Sequence, residues 1–169
     1  MCETRLRFCG TLASMPVLVL HNIRSSHNVG SMFRTADGAG VGRIILSGYT
    51  PDHLDPKGKE RRDFIKVSLG AEKFIPYTHT KQLSPALKKL KADGYTIVAV
   101  ELTDTSVNLF DYKPKKNEKL AIVMGNEVRG ISKQSLKHCD VAVQIPMRGK
   151  KESLNVGVAC GVALFTLLR

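Results

Sequence analysis

The segment Gln144–Val158 reads Gln-Ile-Pro-Met-Arg-Gly-Lys-Lys-Glu-Ser-Leu-Asn-Val-Gly-Val and marks the passage from a strand to a helix. An apolar run, Val141 to Ile145, ends at Pro146, and a basic loop then leads into a second apolar run. We expect Ser153 to cap the final helix, because a serine hydroxyl accepts hydrogen bonds from first-turn amides. Such a junction can bind an anion or a small molecule, although an ordinary strand–helix connection would show the same pattern.

Length and charge limit the class of protein. The chain has 169 residues, which is long enough for one well-buried domain and short for two. Twenty-six Lys and Arg against 15 Asp and Glu give a net charge of +11. This excess favours a polyanionic partner, and it favours nucleic acid over an anionic membrane because no basic amphipathic helix stands out.

Cysteine usage and the N-terminus indicate a cytoplasmic protein. The four cysteines show no regular spacing and no pairing typical of zinc, so no metal is predicted; they are Cys2, Cys9, Cys139 and Cys160. Cys160 lies in an apolar helix and is expected in the core. The N-terminus lacks the apolar run of a secretory signal. Residues 1–14 fit no element and are interpreted as an uncertain extension before one domain at 15–169, with Met15 as an alternative start.

Short apolar runs alternate with helical segments along the chain. Strands are predicted at 17–20, 43–47, 74–77, 96–101, 120–124 and 141–145. Helices are predicted at 29–39, 85–93, 132–138 and 154–168, the first capped by Asn28 and the second by Ser84. The segment 65–69 fits either a helix or a strand. Apolar strands separated by helices predict an α/β fold with a mainly parallel sheet and helices on both faces.

Three polar clusters follow apolar strands, at the sheet edge where α/β proteins bind ligands. They are residues 28–36, residues 123–130 and the segment quoted first. Asn28 and Arg34 lie about a turn and a half apart, so Arg34 can point back towards the loop before its helix. Glycines on either side of Glu127 permit close approach of a ligand. Each cluster alone also has an ordinary structural explanation, such as helix capping or a surface ion pair.

Together and in this order, the clusters resemble the SpoU/TrmH family of SPOUT RNA methyltransferases. The three family motifs are matched by Asn28-Val29-Gly30 with Arg34-Thr35-Ala36, by Val123-Met124-Gly125-Asn126-Glu127 with Gly130-Ile131, and by Ile145-Pro146-Met147 with Ser153-Leu154-Asn155-Val156. The resemblance extends from about Val17 to Leu168. It implies a deep C-terminal trefoil knot and a homodimer with each active site near the subunit interface, which periodicity could not have indicated.

The resemblance also implies an activity: methyl transfer from S-adenosylmethionine to a ribose 2′-hydroxyl of structured RNA, with S-adenosylhomocysteine as product. Transfer RNA is favoured over ribosomal RNA, because the leader Asn22-Ile23-Arg24 and the first motif look most like the tRNA guanosine branch. By the same resemblance, the catalytic residues are Arg34, Asn28, Glu127, Ser153 and Asn155. The residues expected to bind the cofactor are Leu102, Thr103, Gly125, Asn126, Ile145, Pro146, Met147 and Leu154.

Arg34 carries over from the family as the residue that activates the 2′-hydroxyl. A guanidinium has an ordinary pKa above about 12, so deprotonating one at pH 7 costs roughly 7 kcal/mol at 1.36 kcal/mol per unit. We therefore expect Arg34 to act as a cation that stabilises the developing 2′-oxyanion and contacts a neighbouring phosphate.

RNA contacts are expected from basic residues around the site, since little of the chain lies outside the predicted catalytic domain. These residues are Arg24, Lys57, Lys59, Arg61, Arg62, Arg148 and Lys150. Two alternatives stay open: a non-catalytic RNA-binding module on the same fold, and a nucleotide-binding α/β enzyme of another kind. A binding module has no need of all five catalytic residues, and the sequence lacks the glycine patterns of dinucleotide and P-loop sites.

Overall fold

A computed structural model describes residues 15–169, which contain one seven-stranded sheet. The strands are β1 Val17–His21, β2 Arg43–Ser47, β3 Tyr77–Thr80, β4 Thr96–Val100, β5 Val107–Asn108, β6 Leu120–Met124 and β7 Val141–Gln144. The helices are α1 Ser26–Gly38, α2 Arg62–Ser68, α3 Leu83–Ala92, α4 Lys133–Leu136 and α5 Val156–Leu167. The predicted extension at 1–14 lies outside the described residues. Within 15–169, no helix is long and apolar enough to cross a membrane.

The strand order is β3-β2-β1-β6-β4-β7-β5, and every pairing between these strands is parallel. The predicted α/β fold is therefore confirmed. Strand β6 joins the two halves of the sheet: Val123 pairs with Val19 of β1 on one side and with Ala99 of β4 on the other. All five β6 residues are buried, which explains its uninterrupted apolar sequence. The trefoil knot stays a prediction, because strand order does not define how the chain is threaded.

Alternate residues of the central strands point into two apolar layers, one on each face of the sheet. Leu18, Leu20 and Ile122 pack in the layer that contains buried residues of α1 and α5. Val19 and Val123 pack in the other layer with buried leucines of α3. Helices on both faces are thus confirmed.

Cys160 is fully buried in the first layer, as predicted. Burial raises the pKa of its thiol to about 12, because the apolar surroundings disfavour the thiolate. Cys160 is consequently a neutral packing residue and no nucleophile at neutral pH.

Three of the predicted helix starts are wrong by two or three residues. Helix α1 begins at Ser26, because the Ser25 side chain accepts a hydrogen bond from the amide of Asn28 and so caps the helix before Asn28 is reached. Helix α5 is capped by Asn155, whose Oδ1 accepts from the amides of Gly157 at 2.9 Å and Val158 at 3.4 Å. Ser153, the predicted cap of that helix, lies before the capped turn.

Helix α3 begins at Leu83, with Gln82 at the N-cap position and no side-chain cap, so the predicted cap at Ser84 is also wrong. Pro85 consequently occupies the third helical position. It is tolerated there because the first-turn amides of a helix have no intrahelical acceptor.

The edge of the sheet also differs from the prediction. The strand predicted at 74–77 is wrong, since β3 starts only at Tyr77. Leu69 and Gly70 adopt left-handed conformations, and residues 71–73 form a 3₁₀ turn that delays the strand. The undecided segment 65–69 belongs mostly to helix α2. Strand β5 was missed, because two residues are too few to show a period.

Gly30 allows α1 and α2 to pack closely. A Cβ added to Gly30 would lie 2.6 Å from the Phe64 carbonyl oxygen and 2.9 Å from Cγ2 of Val67. The Ser26 hydroxyl also donates to the Asp63 carboxylate, a hydrogen bond that lowers the pKa of Asp63. Gly30 belongs to the first family motif, and its role here is steric.

We predict that Gly30→Ala lowers the free energy of unfolding by about 1–3 kcal/mol, because the methyl group must displace backbone atoms. The matched control is Gly38→Ala at the end of the same helix, where the nearest atom to an added Cβ is Phe165 Cζ at 3.7 Å. The control should be neutral or slightly stabilising, since alanine is the better helix former. Urea unfolding at constant m-value measures both. Equal stabilities of the two variants would contradict the steric role.

Candidate active site

The carboxyl ends of β4, β6 and β7 border a cavity of about 660 Å³, called the first cavity below. Its lining consists of residues 100–102, 124–127, 143–147, 152–154, 156 and 159. The three loops that leave these strands therefore meet at one place, at the sheet edge where parallel α/β proteins bind ligands.

Seven of the eight residues expected to bind the cofactor line the first cavity: Leu102, Gly125, Asn126, Ile145, Pro146, Met147 and Leu154. Thr103 does not line it, so the structure does not support that placement. Residues 103–106 form a turn in which the amide of Thr103 donates to Ser106 Oγ at 3.1 Å and the amide of Ser106 donates to the Thr103 carbonyl at 3.2 Å. This turn places Thr103 on a neighbouring surface depression instead.

One residue from each of the three predicted polar clusters takes part in a continuous hydrogen-bonded chain. Asn155 Nδ2 donates to Asn28 Oδ1 at 3.3 Å, and Asn28 Nδ2 donates to Glu127 Oε1 at 3.5 Å. The Glu127 carboxylate also accepts from the amide of Arg24 at 3.2 Å. Asn28 lies 99 residues before Glu127 and 127 residues before Asn155 in the sequence, and the fold brings the three side chains together.

Asn126 fixes the loop after β6 to the loop after β1. It is buried, and its Nδ2 donates to the Asn22 carbonyl at 2.8 Å and to the Tyr49 hydroxyl at 2.9 Å. Its Oδ1 accepts from the amides of Val128 and Arg129. Because a buried amide loses free energy when its donors or acceptor stay unpaired, this residue holds both loops in one arrangement.

Glu101 is a lining residue that the sequence interpretation missed. Its carboxylate accepts from the amide of Ile131 at 2.7 Å, and this ties the loop after β4 to the loop after β6. Gly130 lies against the same carboxylate at φ +63, where a side chain would overlap it. Gly125 is also required, since a Cβ there would lie 2.6 Å from Ile131 Cγ1. The available signal was a carboxylate placed directly after a buried strand.

The first cavity is acidic, in contrast to the protein as a whole. Glu101, Glu127 and Glu152 line it, and no lysine or arginine is among its lining residues. The chain carries a net charge of +11. The basic residues therefore lie elsewhere, and the cavity favours a cationic over an anionic ligand.

The structure does not bring Arg34 to the first cavity. Arg34 is exposed and lines a second cavity of about 470 Å³ between α1, α2 and α5, whose other lining residues are Ser31, Thr35, Gly38, Lys66, Val67 and Phe165. This second cavity contains two cationic side chains and no carboxylate. Of the five predicted catalytic residues, Glu127 and Ser153 line the first cavity. Asn28 contacts the lining residue Glu127, and Asn155 contacts Asn28.

Six of the seven residues predicted to bind RNA are exposed: Arg24, Lys57, Lys59, Arg62, Arg148 and Lys150. Arg61 is the exception, since it is half-buried and its Nε donates to the Leu54 carbonyl at 3.1 Å. Its backbone amide donates to the His53 carbonyl, and it occupies the N-cap position of α2. Arg61 therefore has a structural role in this loop.

A parallel sheet with a ligand cavity at its carboxyl edge defines an α/β ligand-binding protein. More narrowly, the chain belongs to the SpoU rRNA Methylase family, whose profile matches residues 15–165. The family resemblance that the three motifs indicated is thereby confirmed.

Relatives of known name share about a third of the sequence. The chain is 33% identical over 153 residues to the 23S rRNA (guanosine-2′-O-)-methyltransferase RlmB of Escherichia coli strain K12, an alignment that covers 90% of this chain and 59% of that one. It is 34% identical to an uncharacterised tRNA/rRNA methyltransferase of Archaeoglobus fulgidus, with 90% and 64% covered. The chain thus spans less than two thirds of these relatives' length.

Two solved structures share the fold. The AdoMet-bound rRNA methyltransferase from Sinorhizobium meliloti superposes with a TM-score of 0.79 at 26% identity, covering 93% of this chain and 59% of that one. The A. aeolicus TrmH/SpoU tRNA modifying enzyme superposes with a TM-score of 0.74 at 26% identity, covering 92% and 77%. Both superpositions include nearly all of the described residues.

His21 is the last residue of β1, and its ring lies between the side chains of Ser47 and Asn22. Its Nδ1 lies 3.0 Å from Ser47 Oγ and its Nε2 lies 3.1 Å from Asn22 Nδ2. The Asn22 amide is oriented by its Oδ1, which accepts from the Tyr49 amide, so Nε2 must accept and must carry no proton. Burial also lowers the pKa of His21, because the partly apolar surroundings disfavour the charged ring.

We predict a loss of stability in mild acid that depends on His21. Because the pKa is lower in the folded state, the unfolded chain takes up the proton first as the pH falls below about 6.5. The contribution of neutral His21 is therefore full at pH 7 and above and is lost as the pH falls through the folded-state pKa. Urea unfolding of the wild type should show a larger drop from pH 7 to pH 5 than that of His21→Gln. Identical drops would contradict the prediction.

Proposed function

We propose that this protein transfers a methyl group from S-adenosylmethionine to a ribose 2′-hydroxyl of RNA. The observation that carries the proposal is the separation of charge: the ligand cavity is lined by three glutamates and no basic residue, while the chain as a whole is strongly basic. A sulfonium is a cation and suits the cavity, whereas RNA is a polyanion and suits the surface.

The first cavity fits S-adenosylmethionine in size and in chemistry. Its volume of about 660 Å³ is in the range of small-molecule sites. Within residues 15–169, the amides of Met147 and Leu154 have no hydrogen-bond partner, so both are free to donate to a ligand. Leu102, Ile145 and these two residues would hold the adenosyl group. When bound, the cofactor supplies an electrophilic methyl group.

The chain's own residues then have separate tasks. The hydrogen bonds among Asn28, Glu127 and Asn155 keep the three loops in fixed positions, and a fixed geometry supplies much of the rate of an in-line displacement. The exposed Ser153 hydroxyl, at the rim of the cavity, would orient the RNA or the cofactor. Arg34 would stabilise the negative charge that develops on the 2′-oxygen.

We propose a homodimer, because Arg34 of one chain does not line that chain's own first cavity. A second copy would bring its Arg34 to the cavity. Helix α5 leaves Val158 and Phe165 more than half exposed beside α1, which is an apolar surface suited to such a contact.

We propose structured RNA as the class of substrate, without a preference for tRNA or rRNA. The prediction that favoured transfer RNA gains no support from the curated relatives, among which RlmB is named for 23S rRNA and the Archaeoglobus fulgidus protein for both classes. The alternative of a non-catalytic RNA-binding module predicts no cofactor binding. A nucleotide-binding enzyme is disfavoured, because three carboxylates would repel the phosphates of its ligand.

Cofactor binding and methyl transfer test the proposal directly. Calorimetry should show that S-adenosylmethionine binds to the wild type with one site per chain, because each chain supplies the lining of its own first cavity. Tritiated methyl transfer to total tRNA and to ribosomal RNA, followed by nucleoside analysis, should yield a 2′-O-methylated nucleoside from one of them. Binding without transfer to either RNA would favour the module, and absence of binding would contradict the proposal.

We predict that Arg34 acts in the site of the partner chain. Two inactive variants are co-expressed with different tags: Arg34→Ala, which keeps the cofactor site, and Met147→Trp, which fills the first cavity and keeps Arg34. Purified mixed dimers should recover about half of the wild-type rate, since one of the two sites is then complete. Mixed dimers as inactive as both parents would show that Arg34 does not act across the dimer.

A further inference from the structure

Tyr49 is an exposed aromatic residue with a fixed position. The residue is 59% exposed. Its hydroxyl nevertheless accepts a hydrogen bond from Asn126 Nδ2 at 2.9 Å, and its amide donates to Asn22 Oδ1 at 3.2 Å. Hydrogen bonds thus fix both the backbone amide and the hydroxyl of Tyr49, while most of the residue stays exposed to solvent.

The residues on either side of Tyr49 hold the backbone equally firmly. Gly48 has φ +67 and packs so closely on Asn22 that a Cβ there would overlap Asn22 Oδ1. Thr50 is 2% exposed, and its Oγ1 accepts from the Ile23 amide at 3.1 Å and bonds to the Leu20 carbonyl at 2.9 Å. An aromatic ring between two such anchors loses little conformational entropy when a ligand covers it.

The position of Tyr49 relates it to the first cavity. Asn126, which holds the hydroxyl of Tyr49, lines the cavity, and the next residue, Glu127, lines it too. Tyr49 is therefore at the rim, on the side of the loop after β1. The hydrogen bonds at the amide and the hydroxyl fix the residue, and more than half of it stays exposed.

We propose that the ring of Tyr49 is a stacking surface for an unpaired nucleobase of the RNA, at or next to the nucleotide whose ribose enters the site. This inference rests on the proposed function and adds a residue that positions the substrate. Proteins recognise unpaired RNA bases by stacking them on aromatic rings, and such stacking tolerates any base because every base has a π-face. A methyl donor in the first cavity could then meet a ribose whose base is held beside it.

The test compares three variants in their affinity for unfractionated tRNA and ribosomal RNA. Tyr49→Phe keeps the ring and removes the hydroxyl, and Tyr49→Leu keeps apolar bulk without a π-system. The matched control is Phe74→Leu. Phe74 is 74% exposed and lies just before β3, near the amino-terminal ends of the strands and away from the first cavity. We expect Tyr49→Leu to raise the Kd for RNA by about 5-fold to about 150-fold. Tyr49→Phe should lose clearly less because it keeps the ring, and Phe74→Leu should stay near wild type.

A second measurement uses single-stranded oligonucleotides with the same backbone, one of oligoadenylate and one made of abasic residues. The change from Tyr49 to leucine should weaken binding to oligoadenylate and leave binding to the abasic oligomer unaltered. Binding of S-adenosylmethionine should be the same in all variants, which verifies that the site is folded.

Each outcome decides the question. Equal losses in Tyr49→Phe and Tyr49→Leu would assign the effect to the hydroxyl and Asn126, and would overturn the stacking role. No loss in Tyr49→Leu, or equal losses on adenylate and abasic oligomers, would overturn it as well. In those cases the wild type still binds cofactor and transfers methyl groups, so the proposed function stands. A wild type that binds no RNA would overturn both.

Discussion

The burial of β6 between β1 and β4 is the constraint on which the site depends. The strand pairs along its length with both neighbours, and its five residues are all buried. Since a central strand with unpaired backbone groups would be costly, this double pairing fixes the register of the sheet. The register places the ends of β1, β4 and β6 at one level. The loops that follow β4 and β6 therefore emerge side by side, and the first cavity lies between them and the loop after β7.

The loops do not rely on the sheet alone for their positions. Asn126 bonds to the Asn22 carbonyl, Glu101 to the Ile131 amide, and Asn28 to both Glu127 and Asn155. Each of these hydrogen bonds joins segments that are distant in sequence. The polar side chains therefore fix the positions of loops that are too short to form an apolar core of their own. Some residues of the family motifs also have an ordinary explanation as capping groups. Their hydrogen bonds fix the loops around the first cavity as well. Asn155 does both, as the cap of α5 and as the partner of Asn28.

The sheet could be predicted because its strands are continuous apolar runs. Six of the seven predicted cofactor residues that line the cavity belong to the family motifs, and Leu102 followed from the resemblance alone. The prediction failed where several local signals compete. Ser25 and Asn28 are both good caps, as are Ser153 and Asn155, and only the packing of the flanking loops decides between them. Thr103 does not line the cavity because the turn formed by residues 103–106 directs it to a neighbouring depression. Tyr49 and Glu101 carry no motif, and their importance follows from partners more than twenty residues away.

The separation of charge bears on how one small protein can bind two ligands of opposite sign. A basic cavity would attract RNA phosphates into the space needed by the methyl donor, and an acidic exterior would repel the RNA altogether. Here Glu101, Glu127 and Glu152 line the first cavity. Arg34 and Lys66 line the second cavity, whose lining contains no carboxylate. A cation placed at the reaction centre would oppose binding of a sulfonium, so an arginine that must act there is best supplied from outside. In the proposed homodimer, the absence of Arg34 from the first cavity of its own chain is consistent with catalysis, because the second chain would supply it.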